Sequence, residues 1–434
     1  IEIFLTFDDM KIGKFQDIYL TFKGINSSNE VDKIQNYSNS QIEVYRFKKI
    51  KKLLVKASRE ISFYKNLFWT INFDPYKFNN LDELKKIPIL DKETIRNNYS
   101  SLISGVRSKN SIELSTSGTS GERLTVYTSP SQWIIEQAAV WRQWKSAGYK
   151  FRDRMAIIRS YSPKKNEPLF RKDHIKNWLY ISPYHLDKNN SRDFLIMLKK
   201  WRPLFLRGYP SSIFLLSKYA EMYDIKIDSL KGIFTASEKL TNDYRSKIES
   251  VFGVKIFDHY GQAEITVMLH EMEDHIGMKN LDFYGYPEFI PTDKKNIYKL
   301  VATNLHNDVM PLIRYDTGDL VEILDFEKDS ERPIINEIFG RNDDFLTHKE
   351  GHSMPSVNFY TYFSKLKEVK RFQFVENESN IELRLQIDED VKKTSLIKYI
   401  NEEMQLRFGK KIEITVTNQF IQSKDGKFSA VIKY

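Results

Sequence analysis

Apolar residues recur at helical spacing in the first part of the chain. Val44, Phe47, Ile50 and Leu54 follow one another at intervals of three or four residues, and lysines and arginines stand between them. This is the period of an amphipathic helix, so we expect residues 1–100 to form a mainly helical lead-in. The basic positions favour a solvated helix face over an anion-binding or membrane surface.

From about residue 110 the pattern changes to short apolar runs separated by helical stretches. Ser129, Pro130 and Gln132 match the N-cap, first-turn proline and capping-box glutamine of a helix, which Gly148 is placed to end. The apolar runs lie at 155–158, 204–206, 233–234 and 256–257, and the helical stretches include 212–222 and 242–252. This alternation predicts an α/β fold, with layered sheets and helices packed on them.

The end of the chain has a separate pattern, which predicts a small α+β domain. The two strands of a hairpin are indicated by alternation at Phe372, Phe374, Ile381, Leu383, Leu385 and Ile387. One face of a helix is indicated by Ile397, Ile400 and Met404, and a further strand by Ile412, Ile414 and Val416. We therefore predict a large N-terminal domain over residues 1–342 and a small C-terminal domain over residues 343–434.

Composition narrows the class of protein. The chain has 434 residues, of which 41% are hydrophobic and 29% are charged, the balance of an ordinary globular protein. Cysteine is absent, which excludes disulfides, thiolate catalysis and cysteine-based zinc sites and favours a cytoplasmic protein. The net charge of +9 suits anionic ligands, but no basic face interleaved with aromatic residues indicates nucleic-acid binding. No apolar run reaches the roughly 18 residues of a membrane span.

A loop of small hydroxylated residues is the first candidate for chemistry. Ser115-Thr116-Ser117-Gly118-Thr119-Ser120-Gly121 follows a short predicted strand at 112–114. Its glycines let backbone N–H groups turn toward an anion and its hydroxyls add donors, so the loop can hold the phosphates of ATP. It lacks the Gly-Lys-Ser/Thr ending of a Walker loop, and by itself it would also suit a plain surface turn.

A second candidate is Tyr260-Gly261-Gln262-Ala263-Glu264, just past the apolar run at 256–257. Ligands gather at the carboxyl ends of strands in α/β sheets. An aromatic ring there can stack on adenine, and a carboxylate can hold Mg²⁺ beside a phosphate. In isolation, the segment would better suit a turn closed by Gly261 with an ordinary surface glutamate.

A run of acidic and histidine residues follows that segment. His270-Glu271-Met272-Glu273-Asp274-His275 lacks the His-Glu-x-x-His spacing of a zinc site, because the second histidine comes one residue late. We therefore expect an exposed polar stretch here rather than a metal centre. His259, beside Tyr260, is expected to be a hydrogen-bonded neighbour of the site rather than an acid–base catalyst.

Three more segments complete the set. Arg314-Tyr315-Asp316-Thr317-Gly318-Asp319, Gly340-Arg341-Asn342-Asp343-Asp344 and Ser423-Lys424-Asp425-Gly426-Lys427-Phe428 follow in that order. The order and spacing of all the segments make the set specific, and over about residues 85–434 the chain resembles the adenylate-forming (acyl-activating) superfamily. Within it, the chain is most similar to the branch of phenylacetate–CoA ligase and the CapK-type capsular polysaccharide proteins.

The resemblance implies a role for each matching residue. Nucleotide binding is implied for Ser117, Gly118, Thr119, Ser120, Gly121, Tyr260, Gly261, Asp319 and Arg341. The two oxygens of the Asp319 carboxylate would accept hydrogen bonds from the ribose hydroxyls. Glu264 would bind Mg²⁺, and Lys427 would bridge the substrate carboxylate and the α-phosphate, so these two are the candidate catalytic residues. Asp343 would be the hinge between the large domain and a C-terminal lid.

The same resemblance implies the reaction. A carboxylic acid would be activated by ATP as an acyl-adenylate with release of pyrophosphate, and the acyl group would then pass to an amine or thiol, in surface polysaccharide biosynthesis. ATP and Mg²⁺ are the implied cofactors, and CoA, a carrier-protein thiol and an amine all stay open as acceptors. The alternatives are an acyl- or aryl-CoA ligase of the phenylacetate type and a catalytically degenerate nucleotide-binding relative.

The acid-binding pocket is expected near Tyr209, Ala236, Ser237 and Trp141. Ser237-Glu238 stands where the family has a Gly-Glu pair, and Glu122-Arg123 stands where its phosphate loop has x-Pro. The first departure predicts an altered pocket for the acid or an altered backbone geometry of that pocket. Aryl acids, amino acids and hydroxy acids all stay open as substrates, and the sequence does not determine the oligomeric state.

Overall fold

The computed structural model describes most of the chain. The described residues are 14–105, 111–115, 124–164, 166–326, 332–339, 345–351, 353–355, 359, 362–363, 366, 368–377, 380–387, 393–421 and 430–433. They form helices and β-sheets with a C-terminal α+β part, which confirms the predicted α/β fold. No described helix is long and apolar enough to cross a membrane.

The elements are numbered in chain order. The α-helices are α1 Lys14–Gln35, α2 Asn39–Glu60, α3 Ser62–Thr70, α4 Lys92–Asn97, α5 Pro130–Ser146, α6 Lys188–Trp201, α7 Pro210–Met222, α8 Asn242–Phe252 and α9 Lys393–Phe408. The strands are β1 Ile112–Ser115, β2 Thr125–Thr128, β3 Met155–Ile158, β4 Phe170–Asp173, β5 Trp178–Ile181, β6 Phe205–Gly208, β7 Gly232–Ala236, β8 Ile256–Tyr260, β9 Leu269–Glu271, β10 Met278–Asn280, β11 Gly285–Pro291, β12 Ile297–Asn304, β13 Tyr315–Phe326, β14 Pro333–Phe339, β15 Phe345–Thr347, β16 Ser353–Pro355, β17 Val369–Glu376, β18 Ile381–Ile387, β19 Glu413–Val416 and β20 Val431–Lys433. Short 3-10 helices lie at Leu81–Lys86, Tyr99–Leu102 and Pro183–His185.

Contacts divide the described chain into two compact units. The first is built from residues up to 115, from 124–149 and from 257–339. The second is built from 150–256 and from the described residues after 344. The two domains expected from the sequence, with their boundary at residue 343, stay a prediction.

The sheet of the first unit carries strands in the order β11-β12-β13-β14-β10-β9-β8, and the pairs along it from β11 to β9 are antiparallel. Val267, Leu269, Leu300, Ala302, Val321, Ile323 and Ile335 form a core cluster of this unit. β1 and β2 pair separately as an antiparallel ribbon, with Ile112 opposite Thr128. Ser115, the first residue of the Ser-Thr-Gly loop, ends β1, and the rest of this loop lies outside the described residues.

Helices α1 to α4 lie in the segment expected to be mainly helical, and a cap explains where α2 begins. The Ser38 hydroxyl accepts from the Gln41 N–H at 3.4 Å, and the Gln41 side chain accepts from the Ser38 N–H at 3.0 Å, which is a complete capping box. Ile50 and Leu54 are buried as their spacing predicts, but Val44 is 50% exposed. The buried stripe instead includes Leu53 and Ala57.

Helix α5 has the cap that the sequence predicts, but only half of the capping box. The Ser129 hydroxyl accepts from the Gln132 N–H at 3.2 Å, while the buried Gln132 amide finds no hydrogen-bond partner among the described residues. The helix ends before Gly148, whose φ of 85° is left-handed and suits glycine. α1 packs along α5, and a Cβ on Gly24 would lie 2.3 Å from the Gln137 Cβ, so glycine is required for this approach.

The second unit has a mainly parallel sheet in the order β7-β6-β3-β5-β4, with β4 antiparallel at the edge. Buried aliphatic residues of its strands and helices form one core, which includes Ala156, Ile158, Leu195, Leu206, Ile213, Leu216, Ile233 and Ile248. Strands buried in this way carry continuous apolar runs, which is why short runs were the visible signal in the sequence.

The C-terminal part of that unit forms a sheet in the order β19-β18-β17-β20, with α9 packed on it. Phe372 lies opposite Leu385 and Phe374 opposite Leu383, as the alternating pattern predicts for a hairpin. Ile400 and Met404 on α9 are fully buried against this sheet.

Candidate active site

The end of β8 meets a turn of β13 in the first unit. The Tyr260 hydroxyl donates a hydrogen bond of 2.6 Å to Oδ2 of Asp319. Burial raises the pKa of this hydroxyl well above its usual value, and the negative charge of Asp319 raises it further. Tyr260 therefore keeps its proton and stays a donor to the carboxylate. Two residues that the sequence assigned separately to nucleotide binding thus lie in contact.

A bulge in β13 presents Asp319. Lys299 pairs with Leu320 and Val301 with Asp316, so the three residues 317–319 stand opposite Leu300 alone. Gly318 has a φ of 78°, which is left-handed and costs a residue with a side chain about 1 kcal/mol or more.

Thr317 holds this bulge in place. Its hydroxyl donates to the Leu300 carbonyl at 2.8 Å and accepts from the Asp319 N–H at 3.1 Å. On the preceding turn, the Asp316 carboxylate accepts from the Gly318 N–H at 3.0 Å and pairs with Lys299 at 2.7 Å. The hydrogen bonds of the Thr-Gly-Asp motif therefore fix the backbone that carries the Asp319 carboxylate.

Glu264 is buried in a pair with Lys92 that sequence reasoning missed. The Lys92 ammonium lies 3.2 Å from Oε1 of Glu264, and the Tyr315 hydroxyl donates to the same oxygen. Burial by itself would raise the pKa of this carboxyl, but Lys92 and the Tyr315 hydrogen bond outweigh it and lower the pKa. Glu264 is therefore an ionised carboxylate near neutral pH. Lys92 is the first residue of the short helix α4 and belongs to no recognisable motif, so the sequence does not indicate this ion pair.

The segment before α4 is bound to the start of β13. The Leu90 N–H donates to the Arg314 carbonyl and the Asp316 N–H to the Leu90 carbonyl, both at 2.9 Å. The Arg314 guanidinium forms a buried fork on Glu288, with Nη2 at 2.9 Å from Oε1 and Nε at 3.0 Å from Oε2. Arg314 also donates to the Lys85 carbonyl at 3.1 Å. Part of the helical lead-in is thus a wall of this site, and Arg314 holds it there.

Buried histidines lie on β8 and on the neighbouring strand β9. His259 Nδ1 is 3.1 Å from Gln143 Oε1, which agrees with the hydrogen-bonded neighbour expected from the sequence. The expectation of an exposed stretch at 270–275 is wrong at its start, because β9 pairs with both β8 and β10 and buries His270 and Glu271. Within the described residues no group of three or more acidic or histidine side chains could hold a metal ion.

The residues expected around the acid lie in different units. Trp141 is buried in the first unit against Trp144 and Tyr149, with ring centroids 5.2 Å and 5.3 Å away. Tyr209 and Ser237 lie in the second unit, where both contact Arg159. Ala236, the last residue of β7, is 1% exposed. Gly261, which the resemblance assigns to nucleotide binding, follows β8 in the first unit.

Several candidate residues lie outside the described part of the chain. They are Ser117, Gly118, Thr119, Ser120 and Gly121 of the phosphate loop, Arg341, the hinge candidate Asp343, and Lys427. The roles that the resemblance implies for them stay predictions.

Comparisons with known proteins agree with this architecture. A family model described as the CapK C-terminal domain matches residues 346–434. Protein CapK of Staphylococcus aureus is 26% identical over 90% of this chain and 86% of that protein. Phenylacetate-coenzyme A ligase of Pseudomonas putida is 24% identical over 73% of this chain and 74% of its own. A crystal structure of 2-hydroxyisobutyryl-CoA ligase in complex with 2-HIB-AMP and CoA has the same fold, with a TM-score of 0.63, 17% identity, and 93% of this chain and 92% of that one covered.

Proposed function

Because the chain belongs to the adenylate-forming superfamily, as a homologue of CapK and of the phenylacetate–CoA ligases, we propose that it activates a carboxylic acid with ATP. The acid's carboxylate forms a bond to the α-phosphorus as the bond to the bridging oxygen breaks, and pyrophosphate leaves with that electron pair. The product is an acyl-adenylate. An amine or thiol then takes the acyl group, and AMP leaves.

The observation that carries this proposal is the contact between Tyr260 and Asp319 on the Thr-Gly-Asp bulge. A carboxylate has two oxygens and suits the two hydroxyls of a ribose. The Tyr260 hydroxyl fixes that carboxylate from the side of β8, where an aromatic ring would lie beside the base. Adenine and ribose subsites would therefore be set side by side by one hydrogen bond between protein groups.

Glu264 fits a role in holding Mg²⁺ with ATP. Magnesium sites at nucleotides commonly use one or two carboxylates together with the phosphates and water. Glu264 is ionised, because Lys92 and Tyr315 offset the effect of burial on its pKa. Bound there, Mg²⁺ would screen the charge of the phosphates while the acid approaches.

Lys427 and the Ser117–Gly121 loop complete the proposal as the sequence implies them. The loop would hold the β- and γ-phosphates. Lys427 would place positive charge between the acid and the α-phosphate, where negative charge builds as the bond forms. Arg341 would contact the ribose or the phosphates, and a rotation at Asp343 would withdraw Lys427 after the first step.

The acceptor separates two versions of this function. An amine or a thiol acceptor in surface polysaccharide synthesis is proposed from the resemblance of the sequence motifs to the CapK-type branch, and 90% of the chain matches Protein CapK. Similarity to phenylacetate-coenzyme A ligases supports CoA instead. Incubation with ATP and an acid that is turned over, with or without CoA, distinguishes them. A CoA thioester detected by mass spectrometry favours the ligase, whereas acid-dependent pyrophosphate release without a CoA thioester favours the other acceptor.

Nucleotide binding tests the site directly. We expect Asp319→Ala to weaken ATP binding by about 1–3 kcal/mol, the range for lost hydrogen bonds to a charged group. Asp325→Ala is a matched control, because Asp325 lies on the same strand and is exposed. Titration calorimetry should show the loss for Asp319 alone. Equal affinities for ATP in both folded variants would remove Asp319 from the site. ATP binding without acid-dependent pyrophosphate release would favour the degenerate relative.

A further inference from the structure

Three adjacent parallel strands of the second unit end at one level. Ile158 of β3 lies beside Gly208 of β6, and Gly208 lies beside Thr235 of β7. The next residues along the three strands, Arg159, Tyr209 and Ala236, therefore follow in one row at the carboxyl edge. This is the edge where α/β sheets bind their ligands.

The row carries a buried cation among hydroxyl groups. Arg159 is 3% exposed, its Nη2 donates to Ser237 Oγ at 3.3 Å, and its guanidinium carbon lies 5.2 Å from the Tyr209 ring centroid. The Tyr209 hydroxyl is 3.1 Å from Ser160 Oγ. Arg159, Ser160, Tyr209 and Ser237 therefore form one polar cluster, which we call the Arg159 cluster.

The backbone holds the Arg159 cluster in conformations that cost free energy. Ser160 has a φ of 55° and Ser237 a φ of 74°, both in the left-handed region that residues with a side chain rarely adopt. The Tyr161 N–H donates to the Arg159 carbonyl at 2.6 Å, which closes a tight turn around Ser160. Such strain persists where the surrounding structure fixes it, often at ligand sites.

A glycine brings the strands close enough for this cluster. A Cβ on Gly208 would lie 2.8 Å from the Ile158 carbonyl oxygen and 2.9 Å from Ile213 Cδ1. The absence of a side chain at that position lets β6 lie close to β3. The chain then passes through Tyr209 directly into α7. The position of the Tyr209 ring beneath the guanidinium follows from this approach.

We propose that the Arg159 cluster recognises the far end of the acid substrate, and that this end carries a second carboxylate. The inference rests on the proposed function, because it takes the pocket for the acid to lie at this edge. The guanidinium would bind the second carboxylate through two parallel N–H groups, and the Ser160, Tyr209 and Ser237 hydroxyls would supply further hydrogen bonds. The substrate class would be a short aliphatic dicarboxylic acid.

The chemistry of the lining favours this class over an aryl acid. A phenyl ring buried against a guanidinium and three hydroxyls would exclude water from those groups without replacing the hydrogen bonds of that water, which is unfavourable for each group. A carboxylate matches the planar donor pair of arginine and gains from burial beside it. Glu238 follows Ser237, and its carboxylate accepts from the Ser211 N–H at 3.1 Å. That bond ties this carboxylate to the first turn of α7.

Acid-dependent ATP–pyrophosphate exchange tests the proposal with matched acids. Succinate, glutarate and adipate are compared with butyrate, valerate and hexanoate, which have the same carbon numbers but one carboxylate, and with phenylacetate. We expect one diacid to exceed its matched monoacid in kcat/KM by more than about tenfold. Arg159→Met should remove about 10- to 100-fold of that diacid's kcat/KM and should not lower the kcat/KM of the matched monoacid. Arg159→Lys keeps the positive charge without the two parallel N–H groups, so its kcat/KM for the diacid should lie between those of the natural protein and Arg159→Met.

Arg192→Met is the matched control, since Arg192 also lies over a tyrosine ring, 5.9 Å from the centroid of Tyr223, but is exposed. It should leave every acid unchanged. Preference for monoacids or phenylacetate, or an equal fall for all acids in Arg159→Met, would show that Arg159 only supports the fold and would overturn the proposal. Thermal melting checks that each variant is folded, and Arg159→Lys provides the test if Arg159→Met is not.

A binding measurement separates this inference from the proposed function. Glutarate titrated into the protein by calorimetry, without ATP, should bind, and binding should weaken in Arg159→Met. Binding of that kind without exchange for any acid would refute the adenylation reaction and uphold the diacid site. Exchange with monoacids alone would uphold the adenylation reaction and refute the diacid site. If the protein showed no exchange and no glutarate binding, both the adenylation reaction and the diacid site would be refuted.

Discussion

The pair between Lys92 and Glu264 makes a quantitative prediction about stability. Lys92→Met removes the cation but keeps most of the side-chain volume, and it leaves a buried carboxylate with the Tyr315 hydroxyl. Removing one partner of a fully buried ion pair costs about 3–5 kcal/mol. The Lys92 side chain keeps 19% exposure and Tyr315 still donates, so we expect about 2–3 kcal/mol of lost stability at pH 7.

The pH dependence of this loss identifies its cause. In the natural protein the pKa of Glu264 is lowered on folding, so its contribution is present above the unfolded pKa of about 4.3 and is lost as pH falls through the folded value. Without Lys92, burial dominates and raises the folded pKa above the unfolded one. The variant then loses stability as pH rises from about 4 toward neutral. The difference between the two proteins should therefore grow from pH 4 to pH 7.

Urea unfolding followed by tryptophan fluorescence at several pH values measures this difference. Lys85→Met is the control, because Lys85 pairs with Asp82 at 2.7 Å on the surface, and it should leave the unfolding midpoint unchanged. Adding Glu264→Gln to Lys92→Met should recover much of the stability at pH 7 and remove the pH dependence. A loss that is independent of pH, or one that Glu264→Gln does not relieve, would refute the reasoning.

Further predictions concern the bulge and the lid. Gly318→Ala should lower stability by about 1 kcal/mol or more, because φ is 78° there, and should weaken ATP binding by displacing Asp319; unchanged urea unfolding and ATP affinity would contradict the bulge's role. Lys427→Ala should abolish acid-dependent pyrophosphate release while ATP still binds by calorimetry, and normal release would exclude this lysine. Asp343→Pro should keep adenylation and lose transfer to the acceptor, as measured by the two half-reactions separately; an equal fall in both would exclude the hinge.

The sequence predicted the fold class because its signals are local. Alternation along β17 and β18 and the cap at Ser129 depend only on neighbouring residues. Motif residues such as Tyr260 and Asp319 were recognisable one by one. Their mutual hydrogen bond was not, because it joins residues 59 positions apart.

The parts that sequence reasoning missed depend on tertiary contacts. Lys92 starts a short helix, and only the fold brings it to Glu264. His270 was expected to be exposed because its neighbours are polar, but pairing of β9 on both sides buries it. Arg159 follows a buried strand without any motif, and its place beside Tyr209 and Ser237 results from strand register. Registers of this kind are set by the packing of the whole sheet.

The products formed from ATP test the central claim most directly. The protein is incubated with Mg²⁺·ATP and a panel of carboxylic acids, and the nucleotide and phosphate products are separated and quantified. The account predicts pyrophosphate together with an equal amount of AMP, either free or bound in an acyl-adenylate. Both form only when an acid is present, and at subsaturating ATP less of both forms in Asp319→Ala. Formation of ADP and orthophosphate, or AMP release that no acid stimulates, would contradict attack by a carboxylate at the α-phosphorus.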